Sequence, residues 1–136
     1  MKKVIRTAGL IFYRKEKDKT YYLLLQQANS NWNFSKGHVE GGEKELETAT
    51  REAREETGIT VSSIAKGFKE KINYLVDQEF KETVFYLAET KQKDVTLSSE
   101  HIAYDWFVFE KALSKLNFDN AKSLLEKAHK FLKTNE

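Results

Sequence analysis

The sequence predicts an α/β protein, a sandwich in which a mixed β-sheet lies between helical layers in the order α/β/α. Three observations carry this expectation. Extended apolar runs alternate with charged turns through most of the chain. A stretch without Gly or Pro, Glu43 to Thr57, has helical spacing and separates the early strands from the late ones. A second helical stretch closes the chain. Residues 1–136 are expected as one domain, long enough to bury a core without cross-links.

Taken in order, Val4 to Tyr13 and Thr20 to Gln27 are β-rich runs joined by the charged turn RKEKDK, which predicts a hairpin. Asn29 to Lys36, NSNWNFSK, is polar with two aromatics and reads as an ordered functional loop. In the helix after it, Leu46, Ala49 and Ala53 recur at helical spacing, with Thr50 and Thr57 on the same side, forming a narrow packing face. Gly58 is the expected left-handed stop. Ile64 to Val76 and Thr83 to Glu89 predict two further strands joined by DQEFKE. Lys91 to Glu100 reads as loop, and Ala103 to Phe109 as a short strand. Glu110 to Leu116 begins a helical segment that Asp119 to Leu132 completes. Its stripe of Leu124, Leu125, Ala128, Phe131 and Leu132 is expected to enter the core, and His129 to be structural.

Composition narrows the function. With 23 Lys and Arg against 21 Asp and Glu, the net charge of +2 is too small to imply nucleic-acid or membrane binding by bulk charge. The distribution is more telling. Glu40 to Glu56 holds seven acids and three bases, so the positive charge lies elsewhere, an arrangement suited to a metal–polyphosphate substrate. The absence of cysteine excludes thiolate metal sites, thiol nucleophiles and a disulfide framework. The apolar part of MKKVIRTAGLIFYRK is too short and interrupted for a signal peptide or membrane span, so a cytoplasmic protein is expected. There is no internal repeat or low-complexity tract.

Three acids are placed unusually. Glu52 and Glu56 are four residues apart, and Glu55 is three from Glu52, so all project from neighbouring lines of one helix. Like charges at that spacing repel by a few tenths of a kcal/mol per pair. A hard divalent cation, held by carboxylates, waters and substrate phosphates, would offset the repulsion. Arg51 reaches Glu55 one turn on.

The full pattern runs Gly37, five residues, Glu43, seven residues, Arg51-Glu52-Ala53, one residue, Glu55-Glu56, one residue, Gly58-Ile59. It resembles the complete Nudix box, with every fixed position filled, and the resemblance implies the same α/β/α fold. It also implies Mg²⁺-dependent hydrolysis (Mn²⁺ substituting) of a nucleoside diphosphate linked to another group, without a covalent nucleophile. By motif position, Glu52, Glu55 and Glu56 would bind metal, Arg51 would orient these carboxylates, Glu43 would support the site from outside the ligand set, and the Gly37 carbonyl would be a further ligand.

The flanks extend the resemblance nearly end to end. WNFSKGHVEGG (Trp32 to Gly42), GFKEKINY (Gly67 to Tyr74), TVFYLAE (Thr83 to Glu89), LSSEHIAYDW (Leu97 to Trp106) and LNFDNAKSLLEKAHKFL (Leu116 to Leu132) resemble the asymmetrical diadenosine tetraphosphate hydrolases. That subfamily implies cleavage to ATP and AMP by a monomer acting on a small dinucleoside polyphosphate. Lys36 and His38 would contact polyphosphate, and Tyr74 and Phe118 would stack on base. Glu100 would be the general base or an extra metal ligand, an alternative the sequence leaves open. His101 would orient phosphate or water, and Lys81 would be the phosphate lysine of the hairpin turn. Ser35 departs from the pattern, standing where the subfamily has proline, which implies a looser loop before Lys36. The alternatives are an RNA 5′-pyrophosphohydrolase, a hydrolase of noncanonical nucleoside triphosphates, and a non-catalytic nucleotide sensor. Near-neutral charge argues against the first, and the intact box acids against the last.

Overall fold

In the computed structural model, which describes residues 4–135, the chain opens with strands β1 (Val4–Glu16), β2 (Lys19–Gln27), β3 (Trp32–Asn33) and β4 (Ser35–His38). Helix α1 (Glu45–Thr57) comes next, then β5 (Glu70–Val76), β6 (Glu79–Glu89) and β7 (His101–Val108). Helices α2 (Phe109–Lys115) and α3 (Asp119–Thr134) end it. β1 is buried on both faces from Thr7 to Arg14, as its apolar run requires, and it is the central strand. One edge pairs with β6 in parallel, from Val4 with Phe80 to Tyr13 with Glu89. The other edge is divided: β4 takes Thr7 to Leu10 and β2 takes Tyr13 to Glu16, both antiparallel. β5 extends the sheet beyond β6, and β7 and β3 pair with β2.

Side-chain alternation then builds two cores. Ile11, Tyr13, Tyr22, Leu24, Phe85 and Leu87 face α2 and α3, meeting Ala112, Leu116, Leu124, Leu125 and Ala128. Leu10, Phe12, Leu23, Leu25 and Ala88 face the other way, against Ala53 of α1, Ile59 and Trp106. The mixed sheet between helical layers is the sandwich expected. The C-terminal stripe is core: Phe131 and Leu132 pack at its margin. His129 is structural, stacked on Phe109 at 4.0 Å with its Nδ1 bonded to the Tyr22 hydroxyl at 2.8 Å.

Several local expectations are corrected. Leu46 is exposed and Thr50 is only half-buried, bonding back to the Glu47 carbonyl. Thr48, Ala49, Ala53, Glu56 and Thr57 form the buried face instead, because α1 is set by the polar contacts of Thr48 and Glu56 as well as by apolar packing. The segment Asn29 to Lys36 contains β3 and the start of β4, each recruited by a neighbouring strand. Both hairpin turns are tighter than their charged runs suggest. Positive φ at Asp77 and Gln78 closes β5–β6 in two residues, the geometry favoured by strand twist. Ile64 makes only an isolated bridge to Ala88, and β5 begins at Glu70.

Two glycines govern how β4 and α1 are placed. A Cβ at Gly9 would lie 2.5 Å from both the Phe85 ring and the Ser35 carbonyl, so β4 can approach β1 only across a glycine. Gly58, at φ 74°, ends α1 as expected, donating its N–H to the Arg54 carbonyl at 2.9 Å. The loop before β7 is tied beside that helix end: Thr96 N–H donates to the Thr57 carbonyl and Trp106 Nε1 to the Lys93 carbonyl. Glu100 is thereby carried to the same end of the molecule as the box acids. No helix among the described residues is long and apolar enough to cross a membrane.

Candidate active site

The site forms where α1 packs on β4. Arg51 is its electrostatic centre. Its Nε and Nη2 fork onto Glu43 at 2.7 and 3.1 Å, Nη2 also donates to the His38 carbonyl, and Nη1 reaches Glu52 at 3.0 Å and Glu55 at 3.2 Å. The bidentate contact holds the Glu43 carboxyl down at about 2; the Glu40 amide and Thr48 hydroxyl add to it. Arg51 thus stitches the box loop to the helix and gathers acids that would otherwise repel.

Glu56 is nearly buried. Its Oε1 accepts the Ser35 hydroxyl at 2.7 Å and the Lys36 amide at 3.1 Å. Burial still pushes its carboxyl up, to about 7; Ser35 and Lys36 pull against that, and the charges of Glu52 and Glu100 reinforce it. Glu52 is raised too, chiefly by burial, with Arg51 opposing. A Cβ on Gly37 would fall 2.0 Å from the Glu52 carboxyl carbon, so glycine is what lets the β4 backbone lie against that carboxylate.

Two open cavities flank this cluster. One, of roughly 450 Å³, is lined by Asn33, Ile72, Tyr74, Phe85, Phe118 and Asp119, with Lys36 in its wall. The other, of roughly 400 Å³, is lined by Gln27, Asn29, Glu56, Glu100 and His101, again with Lys36 in its wall. Lys36 therefore stands between an aromatic berth and a carboxylate-lined cavity, its Nζ 6.0 Å from the Tyr74 ring centre.

Comparison with known proteins identifies the family. The NUDIX domain family matches residues 3–127. The chain belongs to the Nudix family. Among relatives, the bis(5′-nucleosyl)-tetraphosphatase [asymmetrical] of Mus musculus is 40% identical, across 94% of this chain and 95% of that protein. The protein of the same name from Caenorhabditis elegans is 35% identical across 95% and 97%. The crystal structure of a C. elegans Ap4A hydrolase binary complex superposes with a TM-score of 0.88 at 34% identity, covering 96% of this chain and 98% of that one.

In this Nudix protein the residues singled out from sequence come together in part. Glu52, Glu55 and Arg51 form one network. Glu56, Glu100, His101 and Lys36 share one cavity, and Lys36, Tyr74 and Phe118 share the other. His38 sits apart: its side chain is exposed at the end of β4 and lines neither cavity, while its carbonyl serves Arg51. Lys81 is a correction. It belongs to β6, directly opposite Tyr74, and not to the hairpin turn, because the turn needs only Asp77 and Gln78. His101 keeps its Nδ1 buried without a protein partner, and burial lowers its pKa.

Ser35 also departs from expectation. The loosened loop implied by the missing proline is instead a buried strand residue bonded to Glu56. Thr48, Asn33 and Asp119 carry no signal in the sequence. Nothing in a lone Thr, Asn or Asp marks it before the chain folds around it.

Hydrolases of this family work with a divalent metal, and the donor chemistry here fits one. Burial forces the carboxyls of Glu52 and Glu56 upward against the pull of their hydrogen-bond donors, and a cation beside them would offset that cost. Among the described residues, no three His, Cys, Asp or Glu side chains stand as a complete metal cage. Mg²⁺ does not require one, since it keeps several waters and shares its remaining sites with substrate phosphates.

Proposed function

We propose that this protein is an asymmetrical bis(5′-nucleosyl)-tetraphosphatase that hydrolyses diadenosine tetraphosphate and related dinucleoside polyphosphates to ATP and AMP. The observation that carries the reading is Lys36, shared between the aromatic berth and the carboxylate cavity. A base stacked by Tyr74 and Phe118 leaves its phosphate chain to run past the Lys36 ammonium towards Glu56 and Glu100. The near full-length similarity to asymmetrical tetraphosphatases supports the same substrate.

Glu52, Glu55 and Glu56, with Glu100 and the Gly37 carbonyl, would hold Mg²⁺, with Mn²⁺ as a substitute. The bound cation would supply charge neutralisation at the phosphate oxygens and a more acidic water. The chain's own residues do the rest. Arg51 holds Glu52 and Glu55 in place. Lys36 places positive charge beside the phosphate chain, and His101 lines the path on the far side. A carboxylate of that cavity takes the proton as the water oxygen bonds to phosphorus and the bridging P–O bond breaks. Aromatic stacking, worth roughly 1–3 kcal/mol per base, fixes the chain's register and hence which phosphate is attacked.

The deciding experiment incubates purified protein and Mg²⁺ with diadenosine tetraphosphate, triphosphate-ended RNA and simple nucleoside triphosphates in parallel, with Glu56→Gln as control. Equimolar ATP and AMP at the highest kcat/KM is the expected result. Two ADP would contradict asymmetrical cleavage, and faster phosphate release from RNA would replace the substrate.

A further inference from the structure

We propose that Ser35 is a positioning residue for Glu56, its hydroxyl holding one carboxylate oxygen against β4 so that the other faces the reaction cavity. This rests on the metal-dependent hydrolysis proposed above. Ser35 is 3% exposed and Glu56 4%, so their bond is shielded from water, where a hydrogen bond to an ionised group counts most. Both protein donors to Glu56, the Ser35 hydroxyl at 2.7 Å and the Lys36 amide at 3.1 Å, fall on Oε1. Among the described residues Oε2 has no such donor, and Glu56 lines the cavity that holds Glu100 and His101. One oxygen is therefore an anchor and the other is free to serve the reaction.

The anchor also crosses an element boundary. Ser35 belongs to β4, which is held to β1 by pairing with Leu10, whereas Glu56 belongs to the last turn of α1. A side chain with several rotatable bonds is thus locked by a strand that its own helix does not control. With the hydroxyl removed, only the longer amide bond would hold the carboxylate. A proline at this position has no side-chain donor. This chain therefore has a hydrogen bond where a prolyl ring would supply only stiffness, and a charged oxygen is held by it.

The test uses Ser35→Ala and Ser35→Thr in the full-length protein, each first checked for a cooperative melt in EDTA. Two quantities are then read: Mn²⁺ affinity without substrate, from the EPR signal of free Mn²⁺, and kcat and KM for diadenosine tetraphosphate with Mg²⁺. Ser35→Ala is expected to weaken Mn²⁺ binding and lower kcat, each about tenfold, the order carried by one hydrogen bond to a charged group, while KM stays within about twofold. Ser35→Thr, which keeps a hydroxyl and suits a strand, is expected to restore both to within about threefold. A folded Ser35→Ala protein with wild-type Mn²⁺ affinity and kcat overturns the proposal. So does a folded Ser35→Thr protein as impaired as the Ala variant, because bulk and not the hydroxyl would then matter. If threonine prevents folding, the Ala arm decides alone. A wild-type protein that cleaves no nucleotide, yet loses Mn²⁺ affinity on Ser35→Ala, would retire the hydrolase reading and leave the anchoring role standing.

Discussion

Burial of Glu56 should make the metal-free protein lose stability as pH rises, and Glu56→Gln should remove most of that loss. The carboxyl moves from 4.5 in the unfolded chain to about 7 in the fold. A group raised in this way binds its proton more tightly when folded, so its contribution is fully present below pH 4.5 and disappears as pH climbs through 7. At about 1.4 kcal/mol per pH decade, the difference between pH 4.5 and pH 8 is about 3 kcal/mol. For a protein of this length that corresponds to roughly 10 °C in Tm. Glutamine keeps a carbonyl oxygen to accept the Ser35 and Lys36 donors but never ionises. Thermal melts in EDTA at pH 5 and pH 8 should therefore show the variant overtaking the wild type at the higher pH. Glu52 is raised in the same direction and leaves the variant a smaller slope. The lowered pKa of His101 acts oppositely, below about pH 6.5, and is common to both proteins. Saturating Mg²⁺ should restore the wild type at pH 8 and do little for the variant. A wild-type fall with pH that survives unchanged in Glu56→Gln would refute the argument.

Other consequences can be checked on the same preparations. Tyr74→Ala and Phe118→Ala should each raise KM for diadenosine tetraphosphate about tenfold with kcat within about threefold, as loss of one stacking face predicts; steady-state kinetics at saturating Mg²⁺ test this. Gly37→Ala drives a methyl into the Glu52 carboxyl, so activity should fall more than about 100-fold while circular dichroism still reports a folded protein. Arg51→Lys cannot reproduce the fork onto Glu43 while also reaching Glu52 and Glu55, and kcat should drop about tenfold or more. Gly58→Ala must hold a left-handed backbone at φ 74° and should cost about 1–2 kcal/mol in a urea melt, with kcat unchanged in the folded fraction.

The box was legible because its spacing is chemistry written along one helix. Glu52, Glu55 and Glu56 must share adjoining lines of α1 wherever the helix packs, and Gly58 must end it because only glycine takes that backbone cheaply. The apolar, β-rich runs were equally local, which is why β1, β2 and the later part of β6 could be read directly, while the two core faces they serve came from the fold. The flanking aromatics were legible only through family resemblance. No periodicity distinguishes Tyr74 and Phe118 from core residues, and they lie far apart along the chain.

What the tertiary structure alone decided is who meets whom. Lys81 lies opposite Tyr74 because a two-residue turn sets the β5–β6 register, and a run of charges does not reveal register. Leu46 is exposed because α1 is oriented by Thr48 and Glu56 as much as by its apolar residues. Ser35 reaches Glu56 because Gly9 lets β4 close onto β1, three segments far apart in sequence meeting in one contact. The sequence by itself determined the charges and their helical order. The fold determined which carboxylates lose their water, and so which of them hold a proton most tightly.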